Sequence, residues 1–356
     1  WGSNLDWGFN KHPPGSAFFP EVFFQIFGPQ DWSYYLLSQI FVLISFYYVF
    51  KFSSEILNNK KLGLISVLLL ESIFFYNFTT PEFNVNVCQL PFWSLVVYYS
   101  WKIYNSKKIE FIDCCLIGLF AAIGFLSKYL FIYLLISVDL LFIYLIFFKK
   151  TKKFDFKYLI TLEVFIVLLI PHLIWLNNND FITITYGLKR SGLENTAVLD
   201  HLVNPIIFLL KQVVILLPFF FLLWLLTSKL KFKINLKDKK FIFLFFVNIF
   251  PILLIFATSL LTGSKIRTMW MAPYYLFFGV FFVYLIQSKI NFKKINSFLY
   301  GFLFLFLLSP SLYSYISISQ TDKRTDYPGK EIATKVQIIW NKDFDNEIQF
   351  VTGNEW

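Results

Sequence analysis

Ten apolar runs, each close to the length of a membrane-crossing helix, occupy most of this 356-residue chain. A helix needs about 20 mainly apolar residues to cross the ~30 Å hydrocarbon core of a bilayer. The predicted spans are residues 32–50, 62–78, 85–101, 111–126, 130–148, 158–175, 204–226, 241–261, 269–286 and 297–316. Because unpaired backbone groups are costly in hydrocarbon, each run is expected to be helical. The sequence therefore predicts an all-α polytopic membrane protein.

Composition excludes several other classes of protein. The chain is 57% hydrophobic and only 15% charged, which is far from the composition of a soluble domain. Its net charge of +10 comes from lysines clustered between the apolar runs, a pattern of membrane orientation and not of a nucleic-acid interface. The three cysteines lie inside apolar runs, so neither a disulfide framework nor a zinc cluster is expected.

The loops between the spans alternate in charge. Alternate loops contain twenty basic residues, namely Lys51, Lys60, Lys61, Lys102, Lys107, Lys108, Lys149, Lys150, Lys152, Lys153, Lys157, Lys229, Lys231, Lys233, Lys237, Lys239, Lys240, Lys289, Lys293 and Lys294. The segments on the opposite side, before the tail, contain six. By the positive-inside rule, the lysine-rich loops are predicted to be cytoplasmic. The opposite face is then the outer side, which in a bacterial inner membrane is the periplasmic side.

Both ends of the chain are predicted to lie on the periplasmic side. Ten spans give this arrangement only if the N-terminus has been translocated, so we expect a further span upstream of Trp1. Residues 317–356 have an ordinary soluble composition and end near a strand-like run at 348–351. We therefore expect a transmembrane domain over residues 1–316 and the start of a small periplasmic α/β domain over 317–356.

The polar residues that suggest chemistry lie on the predicted outer side. The N-terminal segment contains Asp6-Trp7-Gly8 and then Lys11-His12-Pro13-Pro14. This pattern resembles the first outer loop of bacterial GT-C-type glycosyltransferases that use polyprenyl-phosphate sugars, which implies a site on the periplasmic face of the inner membrane. These enzymes are related to the dolichyl-phosphate-mannose protein mannosyltransferases and to the lipid A aminoarabinose transferase. Further similar motifs follow in the same order, at residues 80–82, 126–129, 171–175, 267–273 and 353–356.

The resemblance implies a GT-C-type helix bundle that transfers a sugar from a polyprenyl-phosphate donor to a lipid, glycan or protein acceptor. Such a reaction needs a carboxylate to take the acceptor proton or hold a metal, and cations to stabilise the departing phosphate. Asp6 and Glu82 are the candidate catalytic residues. The candidate donor-phosphate ligands are Lys11, His12, Lys128, Lys265 and Arg267. The bilayer itself would hold the donor lipid, so no nucleotide-binding glycine motif is required. None is present in the sequence.

Two features of this assignment remain open. The family usually carries an acidic pair upstream of the position where this chain starts, and Glu82 stands where Asp is commoner. A divalent metal is compatible with the chemistry, but its ligands are unassigned. We expect Asp6, Lys11, Glu82 and Lys128 to border one cavity that opens sideways to lipid, since donor and acceptor must meet at the membrane surface.

The same residues also have structural interpretations. Asp6 and Glu82 can cap turns, Lys11 and His12 can anchor the chain to lipid phosphates, and Lys128 can snorkel from a helix end. Hydrogen bonding is the preferred role for His172 and His201 and for the intramembrane acids Glu71, Asp139 and Glu163.

Two other functions compete with the transferase. A transporter or flippase of lipid-linked sugars would use charges such as Glu71 and Asp139 near the bilayer midplane. An O-antigen ligase or polymerase would be centred on a large outer loop, whereas the longest one here, residues 177–200, is short.

Topology is the first testable prediction. Single cysteines introduced at Lys152 and Lys237 should be protected from an impermeant thiol reagent in intact cells, because lysine-rich loops stay in the cytoplasm. Cysteines at Asp6, Glu82, Lys128 and Lys189 are expected on the periplasmic side. The unsubstituted chain controls for labelling of its own cysteines. Labelling at 237 but not at 189 would show that the orientation is the reverse of the one predicted.

Overall fold

The fold is a bundle of helices, given by a computed structural model. The structure describes residues 2–193, 196–227, 232–320 and 328–349. The motif at 353–356, the lysines Lys229 and Lys231, and residues 350–351 of the strand-like run lie outside the described residues.

Sixteen α-helices are found in the described part of the chain. Their bounds are α1 Gly15–Phe27, α2 Asp31–Leu57, α3 Lys60–Leu68, α4 Phe74–Asn77, α5 Val85–Cys88, α6 Leu90–Asn105, α7 Phe111–Ser127, α8 Ile132–Ile143, α9 Lys157–Asn178, α10 Ile182–Arg190, α11 Asp200–Leu225, α12 Lys239–Asn248, α13 Phe250–Thr262, α14 Phe278–Ile286, α15 Ile295–Ser319 and α16 Gly329–Asp343. Short 3-10 helices include Leu69–Ser72, Tyr129–Phe131 and Thr268–Tyr275, and a π-helix covers Tyr144–Phe148. The all-α architecture predicted from the apolar runs is confirmed, and no strand occurs in these residues.

Six helices in the described residues are long and apolar enough to cross a membrane. They are Asp31–Leu57, Tyr129–Phe148, Lys157–Asn178, Asp200–Leu225, Lys239–Thr262 and Phe292–Ser319. A seventh span is possible if Thr268–Tyr275 and Phe278–Lys289, which are bent by 54°, cross together. Helices also occupy the other predicted spans, but they are shorter or interrupted, as at Leu69–Ser72. The count of ten spans therefore stays a prediction.

The core is built largely from aromatic side chains. Phe52 lies at its centre, with Phe277 at 5.1 Å and Trp101 at 5.8 Å between ring centroids. Edge-to-face pairs of this kind stabilise a core beyond the area they bury. Helix α14 crosses α3 so closely that a Cβ at Gly279 would lie 1.8 Å from the Ser66 carbonyl oxygen. Small residues allow such close backbone contact in membrane helices.

Lysines on the lysine-rich face join neighbouring helices. Lys240 donates to the Ile56 carbonyl at the end of α2 (2.6 Å), and Lys157 donates to the Ile109 carbonyl (2.8 Å). Lys102 pairs with Asp113 at 2.7 Å. Ile56 is in the last turn of α2, where carbonyls lack intrahelical partners, so the Lys240 ammonium satisfies one of them. Ile109 lies in the loop before α7, and the Lys157 ammonium satisfies its carbonyl. The lysines therefore have a structural role in addition to orienting the chain.

Contacts within the chain divide it into two units, Trp1–Phe306 and Leu307–Trp356. In the second unit, residues 328–349 contain α16 and, where described, no strand. The C-terminal α/β domain and its boundary after residue 316 therefore stay predictions.

Candidate active site

The N-terminal segment, residues 6–12, is held against the ends of α9 and α10. His172 Nδ1 lies within hydrogen-bond distance of the Trp7 carbonyl, and Thr183 donates to the Phe9 carbonyl at 2.6 Å. Gly8 faces the Trp175 ring, where an added Cβ would approach a ring carbon to 2.2 Å. Only a residue without a side chain fits there. The predicted motif is therefore fixed to the bundle before α1 begins.

His172 joins this segment to the bend between α7 and α8. The residue is fully buried, and its Nε2 lies 2.7 Å from the Tyr129 hydroxyl. A carbonyl can only accept, so Nδ1 must carry the proton that is donated to Trp7, and Nε2 of the neutral ring then accepts from Tyr129. Both ring nitrogens of His172 are therefore used in hydrogen bonds, the role that the sequence analysis prefers for this residue.

Lys128 occupies that bend in an unusual environment for an ammonium group. Its side chain is 6% exposed, its Nζ donates to the Asn86 side-chain oxygen, and the Trp270 ring centroid is 5.4 Å away. Burial disfavours the charged form and lowers the pKa of Lys128 to about 7. Across the described residues, no carboxylate forms a salt bridge with this ammonium. An anionic ligand would supply the missing negative charge.

His12 lies among three cations. Burial is the largest cause that lowers its pKa, to about 4, followed by the charges of Lys128, Lys11 and Arg190. The ring is therefore neutral at pH 7, so it can donate or accept a hydrogen bond without adding a fourth charge. Lys11 and Arg190 both lie 5.9 Å from the Tyr186 ring centroid. We call Lys11, His12, Lys128 and Arg190 the cationic cluster.

The two candidate carboxylates, Asp6 and Glu82, make no ion pair in the described residues. Asp6 is exposed, and Glu82 is half-buried in the turn before α5. That turn is fixed to α2, because Ser38 and Gln39 donate to the Thr80 carbonyl at 2.6 and 2.9 Å. Glu82 lies four residues before Asn86, whose side-chain oxygen accepts the hydrogen bond from Lys128. The placement of both acids on one cavity with the lysines stays a prediction.

Lys265 and Arg267 are exposed in the connection between α13 and the 3-10 helix Thr268–Tyr275. The Lys265 backbone N–H donates to the Ser191 carbonyl at 2.9 Å, which joins this connection to the loop after α10. Arg267 precedes the 3-10 helix that contains Trp270. The structure therefore places both near elements of the cationic cluster, and their role in phosphate binding stays a prediction.

Sequence reasoning did not include Arg190, Asn86 or Tyr186 in the site. The only signal at Arg190 in the sequence is its basic neighbour Lys189 in a predicted outer loop. No local pattern distinguishes Asn86 or Tyr186. Within the described residues there is no group of three or more His, Cys, Asp or Glu arranged to hold a metal ion.

The apolar helix bundle defines a polytopic membrane protein, and the cationic cluster gathers residues of three predicted outer segments. Residues 11–175 match the family model described as dolichyl-phosphate-mannose-protein mannosyltransferase. The match confirms the predicted resemblance and indicates a membrane glycosyltransferase of the GT-C type. No curated protein and no solved structure gives a significant match to the chain.

The fit of Gly8 gives a second prediction. Gly8→Ala should displace residues 6–12 from Trp175, because the new methyl group and the ring cannot occupy the same space. Faster trypsin cleavage after Lys11, followed by mass spectrometry of the released peptide, would report the displacement. Gly187→Ala is the matched control, since an added Cβ meets nothing within 4 Å there. Equal cleavage rates for the two variants would show that Gly8 does not hold the segment.

Proposed function

We propose that this protein transfers a sugar from a polyprenyl-phosphate donor to a lipid, glycan or protein acceptor on the periplasmic face of a bacterial inner membrane. The observation that carries the proposal is the buried ammonium of Lys128, which contacts Asn86 and Trp270, together with Lys11 and Arg190 at the Tyr186 ring. The charges of these three residues all lower the pKa of His12. Three cations with one buried ammonium form a site that favours a phosphate. The family match over residues 11–175 includes two of these cations.

In the proposed reaction, the acceptor hydroxyl oxygen attacks the anomeric carbon of the sugar. The bond between that carbon and the phosphate oxygen breaks, and polyprenyl phosphate leaves with the electron pair. Lys11, Lys128 and Arg190 stabilise the charge that grows on this oxygen as the bond breaks. The acceptor proton passes to a carboxylate, for which Glu82 and Asp6 are the candidates in this chain. His12 can orient the phosphate by a hydrogen bond.

One observation favours the alternative, a flippase or transporter of lipid-linked sugars. The 3-10 helix Leu69–Ser72 interrupts one predicted span, and the 3-10 helix Thr268–Tyr275 begins another that bends after it. The Tyr76 hydroxyl, just beyond the first, donates to the Ala272 carbonyl of the second at 2.5 Å. Broken helices that meet inside a bundle are typical of transporter sites, and Glu71 lies in the first break.

Substitutions separate the two functions. Lys11→Met and Lys128→Met should each lower the rate of sugar transfer by about 10²- to 10³-fold, the usual cost of one electrostatic donor to a transition state. Glu82→Gln should also suppress transfer while protein level and donor binding persist. The measurement is transfer from polyprenyl-phosphate sugars by the full-length protein in vesicles.

Glu71→Gln and Asp139→Asn are the contrasting variants, because a transporter that uses its intramembrane acids would lose function there. They should leave sugar transfer near the wild-type rate. Wild-type transfer by the Lys11 and Glu82 variants would refute the site. No transfer from any such donor by the wild type, with lipid translocation lost in the Glu71 variant, would support the flippase.

The pKa of Lys128 gives a pH dependence. With a pKa near 7, its ammonium is charged below this pH and neutral above it, so kcat/KM, which reports the free enzyme, should fall as pH rises through about 7. Lys128→Arg keeps the charge at all these pH values and should remove that fall even if its absolute rate is lower. Lys60→Arg, on the lysine-rich face, should keep it. An unchanged profile in Lys128→Arg would assign the titration to another group.

A further inference from the structure

A cavity whose lining includes no residue of the cationic cluster lies between α8 and α9. Its volume is about 400 Å³, and its inner wall is formed by buried side chains of α6 and α7 such as Val96, Ile117 and Ala121. Its two edges carry exposed residues, with Ile143 and Phe147 on one side and Leu159 and Leu162 on the other. Because α9 packs on α7 whereas α8 packs on α12 and α13, the two helices diverge and leave this cleft between them.

The cleft is closed at one end by the connection from α8 to α9, residues 149–156, on the lysine-rich face. Lys152 donates to the Ile103 carbonyl at 2.9 Å, which fixes the connection to the end of α6. Lys149, Lys150 and Lys153 are exposed on the same connection. Phe154, one residue further on, lines the cleft itself. An apolar cleft therefore ends directly at a group of exposed positive charges.

We propose that this cleft binds one anionic phospholipid from the leaflet on the lysine-rich face. An acyl chain occupies the space between α8 and α9, and the phosphate lies against Lys149, Lys150 and Lys153. The apolar edges match a hydrocarbon chain, and basic pockets between transmembrane helices at this surface are suited to acidic headgroups. The site is independent of the proposed sugar transfer, since it lies at the opposite face from the cationic cluster.

The acidic residues near the cleft are compatible with this occupant. Asp139 lines the cleft, but it is ten residues from Lys149, or about 15 Å along a helix, so its carboxyl is not beside the phosphate. The Asp155 carboxylate accepts a hydrogen bond from the Lys157 backbone N–H at 3.0 Å, at the start of α9. The charge at the mouth of the cleft is therefore set by the lysines.

Native mass spectrometry of the full chain can count the lipids it retains after equilibration with vesicles of equimolar phosphatidylglycerol and phosphatidylcholine with the same acyl chains. The wild type should retain phosphatidylglycerol preferentially. Combined Lys149→Gln, Lys150→Gln and Lys153→Gln should weaken that retention at least about ten-fold. Combined Lys60→Gln, Lys61→Gln and Lys237→Gln is the matched control, since those exposed lysines lie on the same face away from the cleft.

Steric block tests the acyl chain separately. Leu162→Trp fills the cleft from α9 and Ile143→Trp fills it from α8, whereas Leu173→Trp is an exposed control on α9 outside the cleft. Both blocking variants should lose the retained lipid and the control should keep it. Equal retention of the two lipids by the wild type, an equal loss in the control lysine variant, or full retention in both blocking variants would overturn the proposal.

Discussion

An ammonium group that is buried without a carboxylate partner among the described residues shapes the proposed active site. Lys128 has an amide oxygen and an indole ring as neighbours, and Lys11 and Arg190 add further positive charge around His12. Like charges brought together out of water raise the free energy of the empty site. An anion relieves both the repulsion and the cost of burying Lys128. The depressed pKa values of His12 and Lys128 and the affinity expected for phosphate therefore have the same origin.

The arrangement persists because neutral contacts hold it in place. Gly8 against Trp175, His172 with the Trp7 carbonyl, and the Tyr129 hydroxyl contribute no net charge. A carboxylate in their place would neutralise Lys128 and compete with the phosphate. Neutral hydrogen bonds and close packing position the cations without reducing the local positive potential, which is what stabilisation of a leaving phosphate needs.

Much of the fold could be predicted from the sequence because the requirement for backbone hydrogen bonds in hydrocarbon leaves few alternatives to a helix. The interruption at Leu69–Ser72 was missed, since the apolar composition continues through it and the segment packs against α11, which is distant in the sequence. The site divides in the same way. Lys11, His12 and Lys128 stand in recognisable local motifs, but Arg190 reaches the cluster only because the N-terminal segment packs on α9 and α10. No local spacing encodes that contact.

Helices α8 and α9 connect the opposite faces of the bundle. The Tyr129 hydroxyl, just before α8, meets His172 near the end of α9, while at the other face residues 149–156 join the end of α8 to the start of α9. The lipid cleft lies between these two connections, where the helices diverge. Nδ1 of the same imidazole lies within hydrogen-bond distance of the Trp7 carbonyl, so His172 joins the start of α8 to the N-terminal motif. An acyl chain that fills the cleft would maintain the spacing of α8 and α9 without breaking that contact, so lipid binding at one face is compatible with an intact site at the other.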